Sequence, residues 1–416
     1  MGMIQPHPSA GWTGAQYSLT RVLLGVFLAV QFAGGALGEG GRVLASVDEG
    51  PAGIATRWFP NVFALAQDTS LSRSLLALAA LASLAIAAGW KRRAAALVLG
   101  YLATAVYLRD PSSLARCLPA LILLHAAAPT APFGSLAAKG RTDPGGGWRM
   151  PPDLFIVGWV VLASNYAFDG VTRLLQPSGE AWRQGTAIAS TLASPAGRLG
   201  ISDALLLLPA GLLKGLTWTL LGLQLAFLPL AFNARTRAVL WSSLFAVQIA
   251  ALLSTKSADT AMPMIFLHLF TFEPRWLRAK TSGSPETIFY DGNCGLCHGW
   301  VRFVLAEDRR ETFRFATLES ETLATALPAQ ERSELPDSVV ALGSDGRPLV
   351  RSAAAIHMLK KLGGLWLACA FLAERLPSSF RDDVYDTIAR YRHRFFRRPE
   401  DTCPIVPPAL GARFLP

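Results

Sequence analysis

Charge is the scarcest commodity in this chain. Only 16% of its 416 residues are charged, 51% are hydrophobic, and the mean hydropathy is +0.34, outside the usual range of a soluble globular enzyme. Cysteine is sparse as well. Five thiols, an odd number, argue against a framework of structural disulfides. No cleavable signal peptide is evident: the first apolar run follows Arg21, has no clear small-residue cleavage site, and is expected to be a retained first span.

What is present instead is apolar sequence, concentrated before residue 280. Eight long runs cover residues 22–37, 75–89, 94–108, 118–128, 154–167, 216–232, 238–253 and 262–272. A spanning helix needs roughly 20 predominantly apolar residues, and with their uncharged flanks these runs are expected to provide about eight spans. Residues 201–213 are too short alone and are followed by Lys214, so they are expected to form a half-helix or an interfacial segment.

Loop charge suggests an orientation. Lys91-Arg92-Arg93, then Lys139, Arg141 and Arg149, then Arg235 and Arg237, then Arg275, Arg278 and Lys280 fall in alternate loops. The positive-inside rule puts those loops, both termini and everything after residue 280 on the cytoplasmic side. The opposite loops carry Arg42, Arg57, Arg109, Arg173, Arg183 and Arg198, which weakens the contrast. From Thr281 to Pro416 the counts are 17 Lys+Arg and 17 Asp+Glu, leaving 22 against 12 before it, so the net charge of +10 lies wholly in the apolar half. That excess reads as loops facing lipid headgroups rather than a nucleic-acid surface. The basic tail at Arg390, Arg392, His393, Arg394, Arg397 and Arg398 is expected to be a solvated helix end at the membrane surface.

Residues 281–285 read as a short flexible linker, and after them the texture is that of a soluble α/β domain. Strands are expected at 287–290, 313–317, 338–342 and 349–351, the last two joined by a turn at Gly343-Ser344-Asp345-Gly346, with helices at 296–306, 353–362, 365–373 and 380–397. Cys294 and Cys297 stand where the first strand gives way to the first helix. There, free N–H groups and the helix dipole favour thiolate at Cys294, which is expected to be the exposed nucleophile, with Cys297 one turn further in to resolve the mixed disulfide. A Cys-x-x-Cys is also half of a zinc site. The other nearby donors, His298, His357, Cys369 and Cys403, are not paired at metal spacing, so the redox reading is preferred and no metal is assigned. Cys117 and Cys369 read as buried packing residues, and Cys403 as a thiol able to exchange with the pair.

The run Asp291-Gly292-Asn293-Cys294-Gly295-Leu296-Cys297 resembles the Asp-x-x-Cys-x-x-Cys signature of the DCC family. The likeness continues through Trp300-Val301-Arg302-Phe303, Phe313-Arg314-Phe315-Ala316-Thr317-Leu318, Asp337-Ser338-Val339-Val340, Arg351-Ser352, Ala354 and Tyr385-Asp386 with Ala389-Arg390-Tyr391-Arg392, and closes on Phe395, Cys403 and Pro404. The resemblance implies a thioredoxin-like fold over residues 286–416 and thiol-disulfide exchange, with Cys294 and Cys297 as the dithiol and Asp291 as the signature acid. Asp291 has two candidate roles, proton transfer with Cys297 or capping of the helix. Pro336 is the nearest counterpart of the proline that packs on the cysteines in thioredoxins.

The apolar half is similar to the HTTM family, the membrane region related to vitamin K-dependent γ-carboxylase, through Tyr17-Ser18-Leu19-Thr20-Arg21-Val22-Leu23-Leu24-Gly25, Gly89-Trp90-Lys91-Arg92-Arg93-Ala94-Ala95 and Trp182-Arg183-Gln184-Gly185-Thr186-Ala187-Ile188. The carboxylase relatives couple oxidation of a reduced quinone to glutamate carboxylation with a lysine as base. No motif places that lysine here, so the resemblance implies a quinone- or lipid-binding cavity rather than carboxylation. Polar residues in or beside the spans would line it: Arg21, His125, Asn165, Asp169, Arg173, Lys214, Gln224, Gln248 and His268. Asp169 and Arg173, four apart, are expected to pair, and Lys214 is a candidate buried base or the end of a half-helix. Helix–helix hydrogen bonding or snorkelling is the alternative for each of them.

The sequence therefore reads as a polytopic α-helical membrane bundle at 1–280, a linker at 281–285 and a thioredoxin-like α/β domain at 286–416. The expected activity is that of an inner-membrane thiol-disulfide oxidoreductase acting on a disulfide-containing protein or small thiol, in contact with membrane lipid. A quinone is the candidate cofactor. The competing reading puts the activity in the membrane half, as a quinone- or lipid-modifying or carboxylase-related enzyme or a binding or transport module, with the dithiol domain as its redox regulator.

Overall fold

Backbone groups in lipid must be paired within the segment that crosses it, and the apolar runs all fold as helices in the computed structural model. It describes residues 12–46, 59–65, 68–111, 114–132, 134–136, 146–198, 200–279, 284–343, 346–395 and 407–416. Arg57, Lys139, Arg141, Lys280, residues 281–283 of the expected linker, Ser344-Asp345 of the expected turn, Phe396, Arg397, Arg398, Cys403 and Pro404 lie outside these, as do the side chains of His393 and Phe395.

The chain divides into two units. The first is built from Thr20–Pro129 and Pro151–Phe272, and the second from Glu273–Pro416 together with Pro6–Leu19 and Thr130–Met150. Eight helices correspond to the apolar runs: α1 (Gly14–Leu37), α2 (Thr69–Ala88), α3 (Arg92–Arg109), α4 (Leu118–Ala127), α5 (Pro152–Leu175), α6 (Ala210–Ala231), α7 (Arg237–Ser254) and α8 (Ala258–Thr271). Five of them, α1, α2, α5, α6 and α7, are long and apolar enough to cross a membrane by length and composition. Of the other three, α3 has 18 residues but contains Arg92, Arg93 and Arg109, whereas α4 and α8 have 10 and 14 residues. At 1.5 Å per residue those two cover roughly 15 and 21 Å, short of a hydrocarbon core of about 30 Å.

One expectation in this half needs correction. Residues 201–213 are not one half-helix. A helix at Ile201–Leu206 stops before Pro209, which then serves as N-cap of α6, so Lys214 lies in the second turn of a 22-residue helix. Arg21 makes the helix–helix hydrogen bonds that were the alternative for it: it is buried and donates to the carbonyls of Ile86 and Ala87 (2.6 Å to the latter) at the C-terminal end of α2, where the helix dipole favours a cation. Close approach of α1 and α2 requires a glycine here, since a Cβ at Gly25 would fall 2.7 Å from Ala87.

The second unit is organised by a four-stranded mixed sheet. Its strands are β1 (Glu286–Tyr290), β2 (Phe313–Thr317), β3 (Val340–Leu342) and β4 (Pro348–Val350), in the order β2-β1-β3-β4. β1 pairs with β2 in parallel and with β3 antiparallel, and β4 closes an antiparallel hairpin with β3. The crossover from β1 to β2 is α9 (Gly295–Glu307), and the hairpin is followed by α10 (Arg351–Leu362), α11 (Gly364–Glu374) and α12 (Ser378–Phe395). This is the β-α-β unit plus hairpin that the sequence pattern anticipates. β3 begins two residues later than expected because the N–H of Val339 donates to Tyr385 Oη at 3.0 Å instead of joining the ladder.

Alternation along β1 explains why both sheet faces are covered. Ile288 and Tyr290 pack with Phe313, Phe315, Val301 and Val304 on one side, and Phe289 packs with Ala316, Val340, Leu323 and Leu327 on the other. Ala15, at the start of α1, also belongs to the first cluster, and Glu307 at the end of α9 accepts from Thr13, from the N–H of Ala15 and from Trp366 Nε1. The last residues close the edge: Leu415 N–H donates to Phe315 O at 2.7 Å, and buried Arg413 pairs with Asp308, which also accepts the N–H groups of Thr312 (3.0 Å) and Phe313 (2.9 Å). Removing one partner of a buried pair strands the other charge. Asp308→Ala should therefore cost this unit roughly 3–5 kcal/mol, read as a lowered denaturation midpoint of the full chain, with loss of exchange protection at Thr312 and Phe313.

Candidate active site

The turn after β1 is held by Asp291, whose Oδ1 accepts the N–H of Asn293 at 2.8 Å while its carbonyl accepts the N–H of Cys294 at 3.2 Å. That turn delivers Cys294 in extended conformation to the N-cap of α9. Its Sγ then accepts the N–H of Cys297 at 3.2 Å, a capping bond made by sulfur. The helix is thus capped by the Cys294 sulfur itself. Asp291, which had been weighed as the cap, organises the preceding turn.

Arg392 completes the arrangement from α12. Its guanidinium is only 4% exposed and reaches Asp291 Oδ2 at 3.2 Å, Asp337 Oδ1 at 2.6 Å and the Asp337 carbonyl at 3.3 Å, which ties the turn before α9 to the segment before β3. Tyr385, seven residues earlier on the same helix, holds Val339 in that segment. Arg392 was expected to be a solvated basic residue at a helix end, and that expectation is wrong for this one arginine. The signal available in sequence was its seven-residue spacing from Tyr385, two turns along one helix face.

These contacts separate the two thiols. Hydrogen bonding from the Cys297 thiol lowers the Cys294 pKa from 9.0 to about 6, with further help from the Cys297 N–H and the Arg392 charge, against the opposing effects of burial and Asp291. Cys297 moves the other way, held in its protonated form by donation to Cys294, by burial and by the neighbouring negative charge. Exposure, however, reverses the sequence-based assignment: Cys294 is buried and Cys297 half-buried. The cap geometry is the reason, because it turns Cys294 Sγ inward onto the helix N–H groups.

Asp291, Cys294 and Cys297 are also the residues whose potential metal-donor atoms converge among the described residues, all within 4.8 Å of one another. A closed structural zinc site takes four ligands. His298 Nε2 lies 2.9 Å from the Gly292 carbonyl, so that nitrogen carries a proton and donates there, and His357 Nε2 faces Glu286 at 2.6 Å. Neither histidine supplies the fourth ligand in this arrangement. Cys117 is buried as expected, whereas Cys369 is half-buried.

Of the polar candidates in the first unit, Asn165, Asp169, Arg173, Gln224 and Gln248 line one cavity, whereas Lys214, His125 and His268 are not in its lining. Asp169 does not pair with Arg173: Arg116, from the segment before α4, takes its carboxylate at 2.6 Å, and Arg173 donates instead to Gln224 Oε1 at 2.7 Å. Lys214 is exposed, with its Nζ over the Trp218 ring at 4.8 Å, and so is no buried base. His125 is buried edge-on to Phe270, and His268 lies in a chain in which Gln248 donates to Tyr166 Oη at 3.1 Å, Tyr166 faces His268 Nε2 at 3.3 Å, and His268 Nδ1 faces the Met264 carbonyl at 2.9 Å.

The low thiol pKa yields a direct expectation. Alkylation of Cys294 in the reduced full chain, followed by peptide mass spectrometry, should rise with a midpoint near pH 6, even if its burial makes the rate slow. Arg392→Ala should move that midpoint upward by about one pH unit, since a neighbouring opposite charge shifts a pKa by roughly 1–3 units.

Comparison with known proteins agrees with this geometry. A model of the DCC1-like thiol-disulfide oxidoreductase family matches residues 288–398. The chain is 36% identical over 136 residues to the uncharacterized protein YuxK of Bacillus subtilis, a match covering 32% of this chain and 94% of that protein. It is 31% identical over 132 residues to a chloroplastic DCC family protein of Arabidopsis thaliana, covering 31% of this chain and 76% of that protein. No solved structure matches. Through this C-terminal region the chain belongs to the DCC family of thiol-disulfide oxidoreductases.

Proposed function

We propose that the chain is a membrane-bound thiol-disulfide oxidoreductase in which Cys294 is the attacking thiolate. The observation that carries this reading is the Cys294 Sγ set on the N–H of Cys297 at 3.2 Å at the head of α9, with the Arg392 guanidinium held nearby. The thiolate attacks one sulfur of a substrate disulfide, the Cys294–substrate bond forms, and the substrate S–S bond breaks to release one thiolate, which takes a proton from solvent. Cys294 is then neutral, so Cys297 loses the negative neighbour that kept it protonated. Asp291, within 4.8 Å of both sulfurs, accepts its proton. The Cys297 thiolate attacks Cys294 and frees the second substrate thiol, leaving a Cys294–Cys297 disulfide. Two electrons and two protons from a cytosolic thiol system, or from a quinol in the membrane, restore the dithiol, and the relative potentials set the direction.

The rest of the assignment belongs to the same proposal: a thioredoxin-like domain at 286–416, an HTTM-like membrane domain at 1–280, and an inner-membrane location with the dithiol on the cytoplasmic side. The helices of spanning length among the described residues support the membrane domain, and the alternation of Lys/Arg-rich loops, counted over the eight expected spans, supports the cytoplasmic side. A second reading, with the activity in the membrane domain and the dithiol as regulator, is favoured by one observation. A cavity of about 720 Å³ lies in the first unit, and Asp169, Arg173, Gln224 and Gln248 are among its lining residues.

Purified full-length protein in detergent should catalyse disulfide exchange with a fluorescent dithiol substrate. Cys294→Ser should abolish it, a loss of at least a hundredfold, and Cys297→Ser should accumulate a mixed disulfide visible on a non-reducing gel. Full exchange by Cys294→Ser would refute the mechanism and shift attention to the membrane domain.

A further inference from the structure

We propose that the cavity of the first unit is a binding site for a single-chain amphiphilic anion: an apolar tail ending in one carboxylate or phosphate-ester head. This goes beyond the thiol chemistry and does not depend on it. At about 720 Å³ the cavity lies within the range of small-molecule sites, roughly 300–1,000 Å³. Its walls are mainly aliphatic, with Leu205, Leu208, Leu213, Leu216, Ile188 and Met264 among them, which suits a hydrocarbon chain.

The polar lining shows what head the site would take. Two guanidiniums, Arg116 and Arg173, line it with one carboxylate, Asp169. Arg116 is paired with Asp169 at 2.6 Å, yet its Nη1 is sealed off and has no hydrogen-bond partner among the described residues, so that pairing leaves the guanidinium partly unsatisfied. Among the described residues, Arg173 hydrogen-bonds to the neutral Gln224, at 2.7 Å, and to no carboxylate. Each guanidinium is fixed over an aromatic ring, Arg116 on Phe168 at 3.8 Å and Arg173 on Trp182 at 4.0 Å, so both are pre-positioned rather than free to snorkel away. An arginine kept among apolar helices without a matching carboxylate is costly unless a partner arrives. A neutral carbonyl head, such as that of a quinone, would accept hydrogen bonds and leave the surplus positive charge uncompensated. A head with one negative charge answers both needs, and bidentate geometry favours a carboxylate or phosphate.

The test is native mass spectrometry of delipidated full-length protein in a neutral detergent, titrated in parallel with oleate, 1-oleoyl lysophosphatidate, oleyl alcohol and a short-chain ubiquinone. One oleate or one lysophosphatidate per chain is expected to bind saturably, and whichever binds more tightly identifies the head group. Oleyl alcohol, with the same tail and no charge, should bind at least tenfold more weakly, the scale of one charge-assisted hydrogen bond. Arg173→Gln should weaken the acid by about tenfold or more, and Arg173→Lys should recover part of that loss. Equal retention of oleyl alcohol or the ubiquinone, or no saturable binding of either acid, would overturn the proposal. The head-group comparison on unmodified protein decides the matter even if a variant folds poorly.

Discussion

A single buried guanidinium holds the dithiol site together. Arg392 reaches Asp291 in the turn before α9 and Asp337 in the segment before β3, two pieces of chain that no strand pairing joins at those residues. With both ends anchored, the turn can present Cys294 at the N-cap, and the cap can hold sulfur in place of the oxygen that Ser, Thr or Asp would supply there. The low pKa of the Cys294 thiol then has a physical origin in two hydrogen bonds, from the Cys297 thiol and the Cys297 N–H, and in the nearby Arg392 charge. The same contacts bury the sulfur, so reactivity and access oppose one another. A disulfide partner would have to reach a sulfur that the helix end partly covers.

The fold of this unit was largely legible because its local signals agree. The strand at 287–290 is a β-branched and aromatic run followed by an Asp-Gly-Asn turn, and the expected helix at 296–306 differs from α9 by one residue at each end. Where two signals compete, the sequence is less informative. Ser338 and Val339 look like strand residues, but Tyr385 takes the Val339 N–H and β3 starts later. Arg392 illustrates a different limit. It sits in a run of arginines whose composition suggests solvent, and the carboxylates it meets are 55 and 101 residues away. Spacing along a helix shows which residues share a face and is silent on what that face meets.

The apolar half shows the same limit more strongly. The four-residue spacing of Asp169 and Arg173 suggested a pair, yet Arg116, 53 residues earlier, occupies the carboxylate. Lys214 looked like a buried base until Pro209 was seen to start α6 just before it, on a turn that faces outward. Arg21, by contrast, has the structural role weighed for it from the outset, closing the end of α2. Length and charge together decide which apolar runs can be spans: five helices are long and apolar enough, α4 and α8 are too short, and α3 carries three arginines.

Disulfide exchange at this site needs Cys294 and Cys297 to act as one two-electron couple. The decisive measurement is to equilibrate the membrane-embedded full chain in dithiothreitol buffers of graded potential, alkylate the free thiols, and read the peptide that contains both cysteines by mass spectrometry. The peptide should pass from doubly alkylated to internally disulfide-bonded in one transition, with a slope of about 30 mV per tenfold change in the thiol–disulfide ratio. Two thiols that oxidise separately, or that never form the internal disulfide at any potential, would contradict it.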